Sequence, residues 1–426
     1  MTTDRSRTVP GAGTGAQGET GAGTVGPSLQ AGTGRARWHR WTGLLPLAYL
    51  AAIVVVGFVH PFLTEWRWLL IHLLLLGAAT NAILIWGTHF AAAVLRAPTP
   101  ASRRGEAARL AVLNAGVVCV LVAGTAGPGW LGVAGATAVF GAVLAHVAAL
   151  AARLRRALPA RFSITVHYYL IAGVALLVGI PVGAWMLVVD DATRPRLVLF
   201  HLHVNVLGWV SLTVLGTLLT LWPTVLRTRM AEGAVRAATR ALPVAATGLA
   251  LLGIGLLVWW PVVAAAGVAL FAAAVVVTAV PAVVAARQRP PSSFSAWSIA
   301  AGIGWLLVAL AVDAATLLAT ADPAAPDADF DAMLVPLLVG FVAQVLLGAL
   351  AYLLPVALGG GPAVVRERMA ALDRHWPQRV TMGNLALAVF LLPVGSYVRI
   401  TTSLLVLAAL VQFLVPAVRI LVAHRR

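Results

Sequence analysis

The sequence predicts an all-α integral membrane protein of about twelve transmembrane helices. Three observations predict it. Of 426 residues, 61% are hydrophobic and only 10% charged, so most of the chain must take lipid as its solvent. Apolar runs long enough to cross a bilayer recur from Trp41 to the C-terminus. The basic residues, all Arg, fall in short segments on alternate sides of those runs, giving a topology signal instead of a nucleic-acid patch, despite a net charge of +16.

Residues 1–37 are rich in Gly, Thr and Ala and hold no apolar run, so they are expected to form a disordered cytoplasmic tail ahead of a membrane domain at 38–426. The GAGTG and GETGAGTVG runs lack the Lys-Ser/Thr of a phosphate loop. Helices are expected at 41–59, 67–95, 107–125, 130–152, 162–188, 197–225, 240–258, 261–286, 295–319, 332–356, 380–396 and 400–422. With the N-terminus in the cytoplasm, 26 of the 30 Arg fall on the cytoplasmic side, leaving Arg67, Arg194, Arg196 and Arg399 opposite. That opposite side collects Glu65, Asp190, Asp191, Asp322, Asp327, Asp329 and Asp331. The asymmetry predicts both termini in the cytoplasm. Cys119 is the one cysteine and lies in an apolar run, which excludes disulfides and thiolate clusters within the chain.

An internal repeat runs through the series. The sixth helix, from His201 to Leu226, aligns without a gap on the tenth, from Met333 to Leu358: Gly208 on Gly340, Gly216 on Gly348 and Pro223 on Pro355. The second helix shares the start of the pattern, His72 followed by Gly77 as His203 is by Gly208. His72 to His203 is 131 residues and His203 to Val335 is 132, so three units of four helices are expected, at about 38–155, 156–288 and 289–426.

Three arcs of four helices, with special residues on the second helix of each, resemble the plan of haem-copper oxidase subunit I. The stretch RLVLFHLHVNVLGWVSLTVLGTLLTLWPTVLRTRM (Arg196–Met230) resembles haem-ligand helices of the C-type oxidases and of the NnrS family, with a His near the outer end, a Gly about five residues on and a Pro or Arg-Thr-Arg exit. The resemblance implies a haem-copper-oxidase-like fold, haem b or copper as cofactor, and electron transfer or metal handling. It also implies a copper protein outside the membrane, such as a multicopper oxidase or nitrite reductase, as partner.

His72 and His203 lie at similar depth on equivalent helices, and two imidazoles facing each other can ligate haem iron. They are the expected ligand pair. His201, about 200° around the helix from His203, joins them as a candidate ligand, pointing to a neighbouring helix and toward His60, itself a candidate metal ligand. Met333 replaces His201 in the third unit and is a candidate soft ligand. Oxygen or nitric oxide reduction is not expected, since the seventh helix holds no His for a copper triad and Tyr168, Tyr169 and Tyr352 have no such site beside them. His39, His375 and His424 are expected to be solvated, and His89, His146 and His167 separately hydrogen-bonded. Asp313, near the outer end of its helix, is expected to reach toward water. Asn81 and Gln344, at matching repeat positions, line a polar interior or tie helices together. Two rival readings remain open: a transporter or permease, since internal repeats are typical of transporters too, although four-helix units give only parallel repeats and no charged residue lies at the bilayer centre, and a cofactor-free assembly subunit.

Overall fold

The computed structural model describes residues 27–97, 102–320 and 332–422, and among them there are helices and no strands. Residues 1–26 of the expected tail, the acidic cluster Asp322–Asp331 and His424 lie outside the described residues. The first helix, α1 (Pro27–Val59), begins inside the segment expected as tail, with a proline where a missing N–H costs nothing. A short turn at His60–Phe62 leads to α2 (Trp66–Val94). There follow α3 (Arg104–Thr125), α4 (Gly129–Arg156), α5 (Ile164–Trp185), α6 (Arg194–Leu226), α7 (Ala234–Leu257), α8 (Pro261–Gln288), α9 (Phe294–Ala319) and α10 (Ala332–Leu358). A short helix α11 (Pro362–Leu372) precedes α12 (Trp376–Phe390) and α13 (Ser396–Val422).

Eleven of the described helices are long and apolar enough to cross a membrane, which makes the chain a multi-pass membrane protein. The difference from twelve is α12. The apolar run at 380–396 predicts a full span, but the helix stops at Phe390, ahead of Pro393 and Gly395, which disfavour its continuation. Its 15 residues reach about 22 Å, short of the roughly 30 Å hydrocarbon core.

Three helices are interrupted in the same way. In α2 the residues Leu73–Ala79 form a π-helical turn, in α6 the residues Val204–Ser211, and in α10 the residues Pro336–Ala343. Each begins one residue after His72, His203 or Val335, so the sequence repeat carries a backbone feature with it. Within each wide turn a glycine (Gly77, Gly208, Gly340) lets a preceding helix approach closely. A Cβ there would strike Tyr49 of α1, Ala175 of α5 and Trp305 of α9 respectively.

The same three helices are the most buried, with 56%, 72% and 61% of their apolar windows inside, against at most 50% elsewhere. Together they line most of an apolar cavity of about 90 Å³. Around them α3 pairs with α4, α7 with α8 and α12 with α13. In addition α4 packs on α5, α8 on α9, and α13 back on α1, so the outer helices close a ring.

Amide side chains fasten this arrangement. Asn81 of α2 and Asn114 of α3 exchange hydrogen bonds of 3.1 and 2.9 Å, and the Tyr49 hydroxyl of α1 donates to Asn114 Oδ1. Gln344 of α10 and Asn384 of α12 exchange bonds of 2.9 and 3.1 Å, and Trp305 Nε1 of α9 donates to Asn384 Oδ1. Of the two roles open to Asn81 and Gln344, tying helices is therefore the one the structure shows.

Candidate functional site

The polar centre of the membrane region lies at the Arg194 end of α6. His203 is buried there, and its Nδ1 donates to the Leu199 carbonyl at 2.7 Å, one turn earlier. A carbonyl only accepts, so Nδ1 carries a hydrogen. Nε2 meets Oδ2 of Asp313, on α9, at 3.0 Å, with the two side chains 2% and 1% exposed. A proton must lie in that contact as well, so the pair is either imidazolium with carboxylate or imidazole with carboxylic acid. In both forms its net charge is zero. The second carboxyl oxygen, Asp313 Oδ1, is buried without a hydrogen-bond partner.

This corrects the expectation for Asp313. Its side chain does not reach toward water, because its face of α9 turns inward onto α6, where an unpaired carboxyl would be costly and His203 supplies the partner.

His201, two residues earlier, faces α5 as the helical geometry requires. Its Nδ1 donates to the Gly179 carbonyl at 2.9 Å, and Gly183 leaves room for the ring. His72 donates through Nδ1 to Trp68 O at 2.8 Å and stacks on the Trp68 indole with centroids 4.0 Å apart. The three imidazoles thus find different partners: His201 turns to α5, His203 to α9, and His72 stays on Trp68 of its own helix.

The remaining candidates stand apart. His60 donates through Nδ1 to Gly57 O and packs against Trp66, so it does not meet His201. Met333 is buried in the apolar core at 1% exposure. Among the described residues no group of three or more His, Cys, Asp or Glu could hold a metal ion. The fit of a haem can be tested on the ring nitrogens. His203 has both engaged, by Leu199 and Asp313, and offers no lone pair to iron. His72 and His201 each commit Nδ1–H to a carbonyl, which leaves Nε2 basic and oriented by the backbone, as a metal-bound imidazole requires.

At the opposite end of the helices, His39 is buried, not solvated: it stacks on Trp86 at 4.9 Å and meets His89 edge-on at 5.2 Å. His375 is exposed as expected. His146 is buried beside Arg109 and Glu106, and His167 is exposed with its Nδ1 on Ser163 O, so His89, His146 and His167 do not share one site.

No protein-family model matches the chain, and no curated protein matches it.

Proposed function

We propose that this chain is a proton-coupled membrane permease whose proton site is the His203–Asp313 pair. The observation that carries the reading is a net-neutral, proton-sharing pair, fully buried between two membrane-crossing helices, with one carboxyl oxygen unfilled. Adding or removing a proton would leave a net charge in a low-dielectric site, which is strongly unfavourable. The pair therefore changes protonation only when a rearrangement admits water or when a substrate charge arrives with it. Such obligatory linkage is what proton-coupled transport needs.

The architecture we infer is three four-helix units around α2, α6 and α10, in a haem-copper-oxidase-like arrangement. Support comes from the three π-helical turns at like repeat positions, the closed outer ring and the paired amide ties in the first and third units. The arginine asymmetry supports both termini on the cytoplasmic side, with α12 and the non-helical residues 391–395 after it together making the crossing before α13, and the family resemblance supports a bacterial plasma membrane.

The test is proton binding by purified protein in proteoliposomes, followed by infrared spectroscopy of the carboxyl stretch and by proton uptake under an imposed pH gradient. Asp313→Asn keeps the shape and can donate to His203 Nε2, so it should remain folded and lose both signals. Retention of full proton uptake in that variant refutes the reading.

A second reading is favoured by the two free Nε2 atoms of His72 and His201. These imidazoles would hold haem b or copper, which supplies one-electron redox chemistry when bound, in exchange with a copper protein outside the membrane. A Soret band or bound copper that is lost in His72→Ala and His201→Ala but kept in His203→Ala would favour it. Absence of both cofactors from freshly prepared membranes argues against it.

A further inference from the structure

A cavity of about 280 Å³ with no histidine in its wall is lined by α9, α10, α12 and α13, with α1 and α2 behind. Its wall is mainly aliphatic, with Ile71, Leu338, Leu347 and Leu407 among the lining residues. Its volume sits at the lower edge of the ~300–1,000 Å³ typical of small-molecule sites. Its polar groups differ in how far they are satisfied. Gln344 and Asn384 bond to each other, and Asn384 also binds the Val380 carbonyl and the Trp305 indole. They have little left to offer a ligand.

Arg379 is different. It lines the same cavity and is 5% exposed. Its Nη1 donates to the Leu372 carbonyl at 2.7 Å, and its guanidinium lies 4.0 Å over the Phe294 ring, which fixes its orientation. Its Nε and Nη2 are buried with no hydrogen-bond partner. These two nitrogens share one edge of the guanidinium, and their parallel N–H bonds form the fork that fits a carboxylate or phosphate bidentately. The nearby carboxylate, Asp373, acts on Arg379 electrostatically but makes no ion pair with it, and one of its oxygens accepts the Phe294 N–H instead. A buried cation with an unfilled recognition edge is costly unless an anion completes it.

The cavity runs along α12 from Arg379. Arg379, Val380, Gly383, Asn384 and Leu387 lie on one face of the helix, so the lined stretch is about 12 Å long at 1.5 Å per residue. Midway along it, Gly383 faces open space: a Cβ there would meet nothing nearer than Ala409 at 4.0 Å.

We propose that this cavity binds an amphiphile with a single anionic carboxylate or phosphate head, seated on the Nε and Nη2 edge of Arg379, with its hydrocarbon chain along α12 toward Leu387. A free fatty acid and a membrane phospholipid present the same chemistry. The site is independent of the His203–Asp313 pair, and its occupation is testable without any assay of transport.

Purified full-length protein in a neutral maltoside is titrated with dodecanoate and, in parallel, with uncharged dodecanol. Arg379→Gln should weaken dodecanoate by about tenfold or more, the scale of charge-assisted hydrogen bonds, and leave dodecanol unchanged. Gly383→Leu, which fills the slot without touching the guanidinium, should weaken both. Native mass spectrometry after passage through phosphatidylglycerol or phosphatidylcholine nanodiscs separates the sources. Phosphatidylglycerol kept by the unmodified protein and lost in Arg379→Gln assigns a membrane phospholipid. Dodecanoate binding without retained phosphatidylglycerol assigns a fatty acid. The proposal is overturned if neither anion binds, if Arg379→Gln binds dodecanoate as tightly as the unmodified protein, or if Gly383→Leu leaves both affinities intact.

Discussion

Removing His203 should be the most damaging single truncation in the outer half of the bundle, and its cost can be set against three related variants. In His203→Ala, Asp313 loses its hydrogen-bond partner at Oδ2 while Oδ1 already has none, so a buried carboxyl is stranded between α6 and α9. Breaking a buried charged pair from one side costs about 3–5 kcal/mol. In Asp313→Ala the imidazole can stay neutral and keep its bond to Leu199, so the expected cost is smaller, about 1–3 kcal/mol. Asp313→Asn retains a donor for Nε2 and should cost about 1 kcal/mol or less, within the range measured for interhelical hydrogen bonds in membranes. The double variant His203→Ala/Asp313→Ala strands nothing, and its loss should fall below the sum of the singles by about 0.5–3 kcal/mol. The assay is equilibrium unfolding in mixed micelles of detergent and denaturing surfactant, read by tryptophan fluorescence. Near-zero losses for both single alanine variants, or strict additivity in the double, would show that the pair is not closed in the folded protein.

Two further outcomes follow from other parts of the molecule. Asn114→Ala and Asn384→Ala each remove the centre of a three-helix tie and should each cost about 1–2 kcal/mol, whereas Tyr49→Phe, which removes one bond to Asn114, should cost about 0.6 kcal/mol; the same unfolding assay reads all three. A cysteine introduced at Asp191 in a Cys119→Ser background should react with a membrane-impermeant maleimide added to intact cells, and one at Gly360 should react only after permeabilisation. Reversed labelling would invert the topology.

Much of the helical framework was legible because hydropathy and length are properties of the sequence itself. The repeat was legible too, since Gly208 and Gly340, Gly216 and Gly348, and Pro223 and Pro355 are residues whose identity is set by close approach or backbone shape. The end of α12 was obscured by apolar Leu391 and Leu392, which extend the hydropathy run past the last helical residue. Partner choice at the histidines was harder. His201 and His203 share one stretch of helix, and which of them meets α5 and which α9 depends on helix rotation, not on composition. Asp313 looked peripheral by its distance from a helix end, but depth along an axis does not say which way a side chain faces. Arg379 registers in the sequence only as a topological charge, because nothing there marks a helix-borne Arg near a loop as enclosed. A lone amide within an apolar run is a usable signal of a helix tie for Asn114.

The wide turns in α2, α6 and α10 have a mechanical consequence. Each accommodates extra chain without breaking the helix, and one residue corresponds to about 100° of rotation. The stretch before the turn, carrying His72 or the His201–His203 pair, is therefore out of phase with the stretch after it, where Asn81 and Gln344 make their ties. The two halves of each helix can be tuned separately, like two dials on one shaft joined by a slipping collar. Deleting a single residue inside the turn of α6 would swing His201 and His203 onto new neighbours while the lower half of the helix kept its seat. Change of chemistry at the His72 and His203 end of the helices is thereby uncoupled from the packing that holds the protein together.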